Sequence, residues 1–386
     1  MNRRDFLKYA SLTPLAGMIP SVLASNPNLA VNSHNKKILL MVELKGGNDG
    51  LNTLIPDHQD YYHNTLRPKL AIKAPKNMSL EKGFRLNPYL KDIKYLWDKG
   101  DMAWIQGVGY PNANRSHFHS IDVWNTASTD VRDSRGWLTK GILPNAPNLL
   151  NGIIIGDDGM GPFAGKDGHA VAMESPRTFL RQTKYLNKDQ YRTPNDSLAH
   201  LLSTQNQINS ASDLLQAKLN QSPRRYARFP NSTFGRNLEQ VTRLITSGIH
   251  LPVFKVTLEG FDTHASQRDT HNNLMNHLGG GLAAFQKAME AAKLWDNVLV
   301  MTSSEFGRRA AENTSLGTDH GSASAHFVLG GRVNRGIYGA EPSLEQLDDG
   351  DLIPTVDFRQ MYATVAQRWW RRPNPWQGRY KPLPFV

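Results

Sequence analysis

The sequence predicts an α/β fold with a mainly parallel sheet. Short apolar runs of strand length alternate with longer segments of helical periodicity, an order typical of strand–helix–strand units. The apolar runs are hydrophobic along their whole length, which indicates strands that are buried on both faces by covering helices. No internal repeat and no long low-complexity linker interrupts this order, so a single domain is predicted for residues 25–386.

Six strands and five helices are predicted, in the following order along the chain. The strands are the continuous apolar runs at residues 37–44, 102–108, 152–155, 252–258, 298–301 and 326–329. The helices are the segments with apolar residues three or four positions apart, at residues 86–99, 197–220, 235–247, 270–293 and 358–370. Residues 197–221 are polar and rich in Ser, Asn and Gln, so the region near 190–250 is interpreted as a helical insertion over the active face.

The first 24 residues are typical of a twin-arginine export signal. Arg3 and Arg4 precede a mostly apolar run at residues 9–23, which ends in the small-residue cleavage pattern that includes Ala24. Two prolines and a glycine interrupt the run, and it is short for a membrane span. An uncleaved anchor is the alternative interpretation. The sequence therefore predicts a periplasmic or extracellular protein that meets the twin-arginine translocase during export.

Composition limits the chemistry that the chain can perform. None of its 386 residues is cysteine, which excludes disulfides, thiolate metal sites and cysteine nucleophiles. Any metal must therefore be held by histidine, carboxylate, amide or hydroxyl ligands, which suit a divalent ion such as zinc, manganese, magnesium or calcium.

The charge of the chain predicts an anionic partner. Removing residues 1–24, which carry a net +2, lowers the formal charge from +11 to +9. A basic exported protein can meet an anionic small molecule, an acidic polysaccharide or lipid headgroups, while no feature predicts specific binding of nucleic acid. Residues 368–381 concentrate basic and aromatic side chains. They are interpreted either as a surface for peripheral membrane or polyanion contact, or as a helix end whose tryptophans pack on the core.

Polar clusters follow the predicted strands, and two of them lie in the first third of the chain. Residues 43–53 contain a glycine-rich turn in which Asp49 can supply a hard oxygen ligand, although the same residues are ordinary turn formers. Arg115, Ser116 and His117 follow the second strand and are predicted to be catalytic residues. Ser116 is interpreted as a nucleophile or as the cap of the next helix, and both roles are compatible with an anion held by Arg115 at the helix start.

The remaining clusters lie after two later strands. Asp262 and His264 are two residues apart in extended chain and therefore point to the same side. Glu305 follows the apolar run 298–301, and Asp319 and His320 lie on the glycine-spaced loop beyond it. Because ligands bind beyond the carboxyl ends of parallel strands, these residues predict a site for a hard or borderline divalent metal.

The chain resembles the exported bacterial family called domain of unknown function 1501. The resemblance rests on the segments LLMVELKGGNDGLNTLIP, NRSHFHSIDVW, GFDTHASQ, VLVMTSSEFGRR and GTDHGSASAHFVLGGRVNRGIYG, which span nearly the whole mature chain in order. That family is placed in the alkaline phosphatase and sulfatase superfamily. The resemblance implies a three-layer α/β/α sandwich of the alkaline-phosphatase type. It also implies an ancestral site that hydrolyses or transfers phosphate or sulfate esters with one or two metals.

The resemblance assigns roles to the candidate residues, with one choice left open. Asp49 matches the first metal-binding aspartate, Ser116 the hydroxyl nucleophile, and Asp262 with His264 the aspartate–histidine metal pair, though with narrower spacing than usual. In one mapping, Asp319 and His320 form the Asp-His-Gly metal motif and His326 is the final histidine. In the other, Glu305 takes the strand-end aspartate position and His320 is the final histidine. The second mapping is preferred because Glu305 emerges directly from a strand, although Phe306 then replaces a usual ligand.

Two classes of function remain. In the first, a divalent metal activates Ser116 or a water and Arg115 holds the substrate oxygens, so the protein is a hydrolase or transferase of phosphate or sulfate esters. In the second, the protein has lost turnover and binds a polyanionic envelope component. A Ser-His-Asp hydrolase is disfavoured because the chain has no Gly-x-Ser-x-Gly elbow.

Overall fold

The computed structural model shows a mixed α/β protein built around one large, mostly parallel sheet, which confirms the predicted fold class. The predicted export signal and much of the predicted helix at residues 197–220 lie outside the described residues. The structure describes residues 37–143, 150–157, 159–165, 168, 170–184, 208–209, 212–213, 215–217, 226–249, 251–376 and 378–386.

All six predicted strands are present, and their ends lie within two residues of the predicted ends. Five shorter strands come in addition to the six that were predicted. The strands are β1 Ile38–Lys45, β2 Leu54–Ile55, β3 Arg85–Leu86, β4 Met102–Gly109, β5 Gly152–Ile155, β6 Ala170–Met173, β7 Val253–Glu259, β8 Val298–Ser303, β9 Ser324–Leu329, β10 Gly336–Tyr338 and β11 Val356–Asp357.

Nine strands of the described chain form one sheet in the order β10-β4-β9-β8-β1-β7-β5-β6, with β11 pairing on β4. All pairs are parallel except the two that β9 makes with β4 and β8. The carboxyl ends of β4, β8, β1, β7 and β5 therefore lie at one edge of the sheet. The antiparallel strand β9 starts at that same edge, so the loop that precedes it joins the loops that follow the others.

Helices cover both faces of this sheet. The α-helices of the described chain are α1 Lys91–Lys99, α2 His117–Thr126, α3 Pro176–Thr183, α4 Thr233–Thr246, α5 Gln267–Ala291 and α6 Arg359–Thr364, which continues as one π-helical turn at Val365–Trp369. Alternate residues of β1 are buried in two cores. Leu40 and Val42 lie in the core with α1, α4 and α5, whereas Leu39 and Met41 lie in the core with α2 and α6. Burial on both faces explains why the first five residues of β1, Ile38 to Val42, are all apolar.

Apart from the ten-residue helix α2, which the sequence indicated only through its Ser116 cap, the elements that sequence patterns did not predict are short. Strand β6 and helix α3 are four and eight residues long, and β2, β3, β10 and β11 have two or three residues each. Such lengths are too small to show a period of 2.0 or 3.6 residues, so tertiary pairing rather than local pattern decides their structure.

The tryptophans at the carboxyl end pack mainly on the protein core. Trp369 and Trp370 are 2% and 7% exposed, and Trp376 is half-buried. Within the described part of the chain, no helix combines the length and the apolar character that a membrane span requires.

Candidate functional site

Loops from five strands meet at the carboxyl edge of the sheet and carry the predicted site residues. The loop after β1 leads the chain through Gly46, which has a φ of +119°, and a Cβ atom there would lie 2.4 Å from the backbone nitrogen of Asp262. Only glycine allows the loops after β1 and β7 to approach this closely. The predicted convergence of strand-end loops is therefore a feature of the backbone itself.

Asp262 is the acceptor at the centre of the site. Its carboxylate accepts a hydrogen bond of 2.7 Å from the Nη2 atom of Arg308, a fully buried side chain. Burial by itself raises the pKa of Asp262, but the hydrogen bond and the positive charge of Arg308 are the main effects in the opposite direction, and the pKa is lowered to about 2. Asp262 is therefore an anion at physiological pH and a strong ligand for a cation.

Three histidines surround this carboxylate, and the Nδ1 atom of each one faces an oxygen. The distances are 2.8 Å from His117 to Glu305 Oε1, 3.3 Å from His264 to Asp319 Oδ1, and 2.8 Å from His320 to the backbone oxygen of Arg115. A carbonyl or carboxylate oxygen only accepts, so each Nδ1 carries the proton and each Nε2 of the neutral ring presents a lone pair.

The three Nε2 atoms converge on Asp262. His264 and His320 lie 3.0 and 3.1 Å from its Oδ1 atom, His117 lies 3.4 Å from its Oδ2 atom, and the Nε2 atoms of His264 and His320 are 3.0 Å apart. The Nε2 atom of His117 is buried and has no hydrogen-bond partner. Lone pairs that face a carboxylate repel it unless a proton or a cation lies between them.

This donor set fits a divalent metal. One ligand atom from each of His117, Asp262 and His320 lies within 4.8 Å of the others, and the Nε2 atom of His264 adjoins two of them. Imidazole and carboxylate ligands suit zinc best among the predicted ions. The oxygens that face the Nδ1 atoms orient the rings, as the hydrogen-bond partners of metal-bound histidines do.

Glu305 lies beside the cluster and orients it. Its Oε1 atom accepts from the backbone nitrogen of Gly46 at 2.8 Å and faces His117, and its side chain is 2% exposed. The ring of Phe306 contacts the rings of His117 and His320, with centroids 4.8 and 4.5 Å apart. Phe306 thus supports two imidazoles by packing, and the role of Glu305 as a direct metal ligand stays a prediction from the sequence.

Asp49 lies in a separate buried network. Its Oδ2 atom accepts from Arg67 Nη1 at 2.6 Å and from the side-chain amide of Gln267, and both Asp49 and Arg67 are at most 1% exposed. Burial raises the pKa of Asp49, but the charge of Arg67 holds the pKa below its ordinary value. Since protein donors already neutralise this carboxylate, its predicted role as a metal ligand has no support from its contacts.

Ser116 is an exposed residue that directly precedes His117 of the cluster. It occupies the cap position of α2, yet its side chain makes no capping hydrogen bond. Arg115 is oriented by Asp351, whose Oδ2 atom lies 2.7 Å from Arg115 Nη2. Ser116 and Arg115 remain predicted catalytic residues, and His117, also predicted as catalytic, lies within the ligand cluster instead.

His326 belongs to the core rather than to the site. It is fully buried on β9, its ring packs against Trp124 at 5.5 Å, and both of its nitrogens lack a hydrogen-bond partner. This position is consistent with the preferred mapping, in which His320 is the final histidine.

The buried position of His326 predicts a pH effect on stability. Burial lowers its pKa to about 3, below the ordinary value of 6.5, so the unfolded chain binds the extra proton and stability falls as the pH drops from 6.5 towards 3. In His326→Leu, we expect the slope of unfolding free energy against pH between pH 6 and 4 to decrease by about 1.4 kcal/mol per pH unit. Urea unfolding at stepped pH measures this slope, and an unchanged slope would contradict the assignment.

Sequence reasoning missed the buried arginines Arg67 and Arg308, which contact Asp49 and Asp262. Arg308 donates to the backbone oxygens of Gly47 and Thr318 at 2.8 and 2.7 Å as well as to Asp262, so one guanidinium joins the loops after β1 and β7 to the loop before β9. The only local signal was the dipeptide Arg308-Arg309 directly after Gly307, in which nothing distinguishes a buried arginine from an exposed one.

The fold and the site define an α/β protein with a cluster of imidazole and carboxylate groups at the carboxyl edge of its sheet. The chain belongs to the family described as "Protein of unknown function (DUF1501)", whose family model matches residues 167–378, and this confirms the family resemblance seen in the sequence. No curated protein matches the chain.

Several solved structures are similar to this one at low identity. A protein in the alkaline phosphatase superfamily from Vibrio parahaemolyticus has 12% identity over 97% of this chain and 79% of its own, with a TM-score of 0.42. The C-terminal periplasmic domain of EptC from Escherichia coli, in complex with Zn, has 10% identity over 91% and 86%, with a TM-score of 0.40. The lipoteichoic acid synthase LtaP from Listeria monocytogenes has 10% identity over 95% and 79%, with a TM-score of 0.34. Because these identities and TM-scores are low, the chemistry of this protein has to be argued from the residues of its own site.

Proposed function

We propose that this protein is an exported, metal-dependent hydrolase or transferase that acts on phosphate or sulfate esters. The observation that carries the proposal is the convergence of three imidazole Nε2 atoms on Asp262, with each Nδ1 atom facing an oxygen. Because oxygens accept the Nδ1 protons, the Nε2 lone pairs are free to bind a metal, and this supports a metal site at Asp262. When bound, a divalent metal supplies positive charge that stabilises the anionic transition state of ester cleavage.

The chain's own residues supply the other parts of the reaction. The amino terminus of α2 favours an anionic group, and Arg115 adjoins it with a guanidinium that can hold two substrate oxygens. Ser116 Oγ releases its proton to solvent and forms a bond to phosphorus or sulfur while the bond to the ester oxygen breaks, and that oxygen takes up a proton from solvent and leaves as an alcohol. Water then cleaves the ester on Ser116 and releases phosphate or sulfate; in a transferase, an acceptor alcohol replaces this water.

The substitution Ser116→Ala tests the proposed nucleophile. With zinc-loaded protein and p-nitrophenyl phosphate or sulfate as the probe, we expect the turnover rate to fall on the order of 10³-fold or more, with the metal content unchanged. The matched control is Ser247→Ala at the end of α4, which should keep full activity. Mass spectrometry of quenched wild-type enzyme should find the phosphoryl or sulfuryl group on Ser116. Full activity in Ser116→Ala would contradict the nucleophile and leave a water as the attacking group.

A second candidate function, a binding protein without turnover, is favoured by one specific contact. Arg308 lies 2.7 Å from the Asp262 carboxylate and can neutralise it without any metal. In that case, the cluster is a polar scaffold, and the protein uses its basic surface to hold a polyanionic envelope component. Purified protein that takes up no zinc, manganese, magnesium or calcium while it stays folded would favour this function over the hydrolase.

A further inference from the structure

A polar cleft with a volume of about 830 Å³ lies at the far end of α2 from the histidine cluster. His117 is the first residue of this helix and Ala127 is its C-cap residue, so about 15 Å of helix separate the cluster from the cleft. One wall is the segment that follows α2 and the other is the carboxyl-terminal segment. The lining residues are Ala127, Ser128, Thr129, Asp130, Asp133, Arg135, Thr139, Lys140, Gly141, Arg359, Pro375, Trp376, Arg379 and Tyr380.

The cleft carries more positive charge than its own carboxylates neutralise. Asp133 lies between two cations, at 3.3 Å from Arg135 Nε and 2.6 Å from Lys140 Nζ, which leaves one of these charges unbalanced. The exposed Arg379 forms no ion pair with any carboxylate in the described part of the chain. By contrast, Arg359 is neutralised by a double contact with Asp357. The cleft therefore attracts an anion at two separated points.

Aromatic rings lie beside these charges. The guanidinium groups of Arg359 and Arg379 lie 4.4 and 5.4 Å from the ring centre of Tyr380, and Trp376 meets Tyr380 edge to face at 6.3 Å. Trp376 is half-buried, so part of its indole ring faces the cleft. An aromatic surface that is partly exposed beside polar groups suits a ligand with both an apolar face and hydrogen-bonding edges.

We propose that this cleft binds a segment of an anionic polysaccharide. A sugar ring packs its C–H face on Trp376, while carboxylate or sulfate groups on neighbouring sugars contact Arg379 and the Arg135–Lys140 pair. The two lining carboxylates, Asp130 and Asp133, accept hydrogen bonds from sugar hydroxyls. Only one aromatic ring of the described lining is partly exposed, so the cleft is poorly suited to single-stranded nucleic acid, which needs successive stacking platforms.

This binding activity is independent of the histidine cluster. Only the further step, that the bound polysaccharide is also the ester substrate, rests on the proposed function. A chain seated in the cleft can extend along α2, whose amino terminus carries Ser116 and His117. Binding is therefore measured separately from hydrolysis.

Calorimetric titration with a sulfated dextran oligosaccharide tests the cleft. We expect Arg379→Ala to weaken binding about tenfold, because a hydrogen bond to a charged group is lost. The matched control is Arg236→Ala, which removes an equal charge from an exposed residue of α4 that contacts Asn231 and Thr233 and is not part of the lining. The control should bind as the wild type does. Trp376→Ala, checked for folding by circular dichroism, should also weaken binding.

Three outcomes would overturn the proposal. An equal loss in Arg236→Ala would mean that net charge alone attracts the polymer. Equal affinity for unsulfated dextran would remove the role of the cations, and equal affinity for a single-stranded oligonucleotide of the same charge would remove the role of the sugar. His320→Ala should bind the oligosaccharide normally, so failure of the metal-dependent function leaves this test unaffected.

Discussion

Asp262→Asn is expected to lose the divalent metal that the wild-type protein binds. The wild type should hold about one equivalent of zinc, since one cluster of three imidazoles and one carboxylate matches a single tetrahedral ion. The substitution keeps the shape of Asp262 but removes the negative charge on which the three Nε2 atoms converge. Elemental analysis of protein purified without chelator, and calorimetric titration with zinc after chelator treatment, measure this loss.

Substitutions of two further carboxylates, Asp319 and Asp349, serve as controls for Asp262→Asn. Asp319 accepts a hydrogen bond from the Nδ1 atom of His264 and so orients that ring. The substitution Asp319→Asn should therefore retain the site but lower metal affinity about 10–100-fold. Asp349 is 80% exposed and contacts Arg115 and Arg309 rather than the histidines, so Asp349→Asn should bind metal as the wild type does. A wild-type protein that binds no divalent ion, or equal loss in all three variants, would contradict a metal site centred on Asp262.

The sequence predicted the edge of the sheet where the site lies because that prediction needs only local patterns. Continuous apolar runs mark the strands, and glycine-rich or polar residues mark where each one ends. Parallel strands then place Asp262, Glu305 and the Ser116 segment at one edge without knowledge of their neighbours. His320 joins them because β9 runs antiparallel to both of its neighbours and therefore starts at that edge.

The partners of these residues could not be predicted in the same way. Whether a carboxylate faces a metal, an arginine or a histidine depends on contacts between residues far apart in the chain. Asp49 and Arg67 are 18 residues apart, whereas Arg308 reaches Asp262 across 46 residues. The histidine ring orientations are equally long-range, since His117 faces Glu305 from 188 residues away. Residue type shows what chemistry is available, and the folded chain decides which groups meet.

Arg67→Met is expected to lower the unfolding free energy by about 3–5 kcal/mol, because it leaves the Asp49 carboxylate buried without its ion-pair partner. The arginine also donates to the backbone oxygens of Ala310 and Arg309, both at 2.9 Å, so their loss adds to the effect. Urea unfolding measures the change. The matched control is Lys94→Met, which breaks an i,i+4 pair with the exposed Asp98 on α1 and should cost less than about 1 kcal/mol.

The double variant Arg67→Met/Asp49→Asn distinguishes a structural ion pair from a metal ligand. Removal of the carboxylate charge relieves the unpaired anion, so the double variant should be more stable than Arg67→Met alone by about 1–3 kcal/mol. The amide oxygen that Asp49→Asn introduces can still accept from the backbone nitrogen of Asn52, so this turn contact is kept. Asp49→Asn alone should retain the full metal content, because Arg67 and Gln267 already engage the Asp49 side chain. Loss of metal in Asp49→Asn would instead make Asp49 a ligand, as the sequence predicted, and would require the Arg67 side chain to move when metal binds.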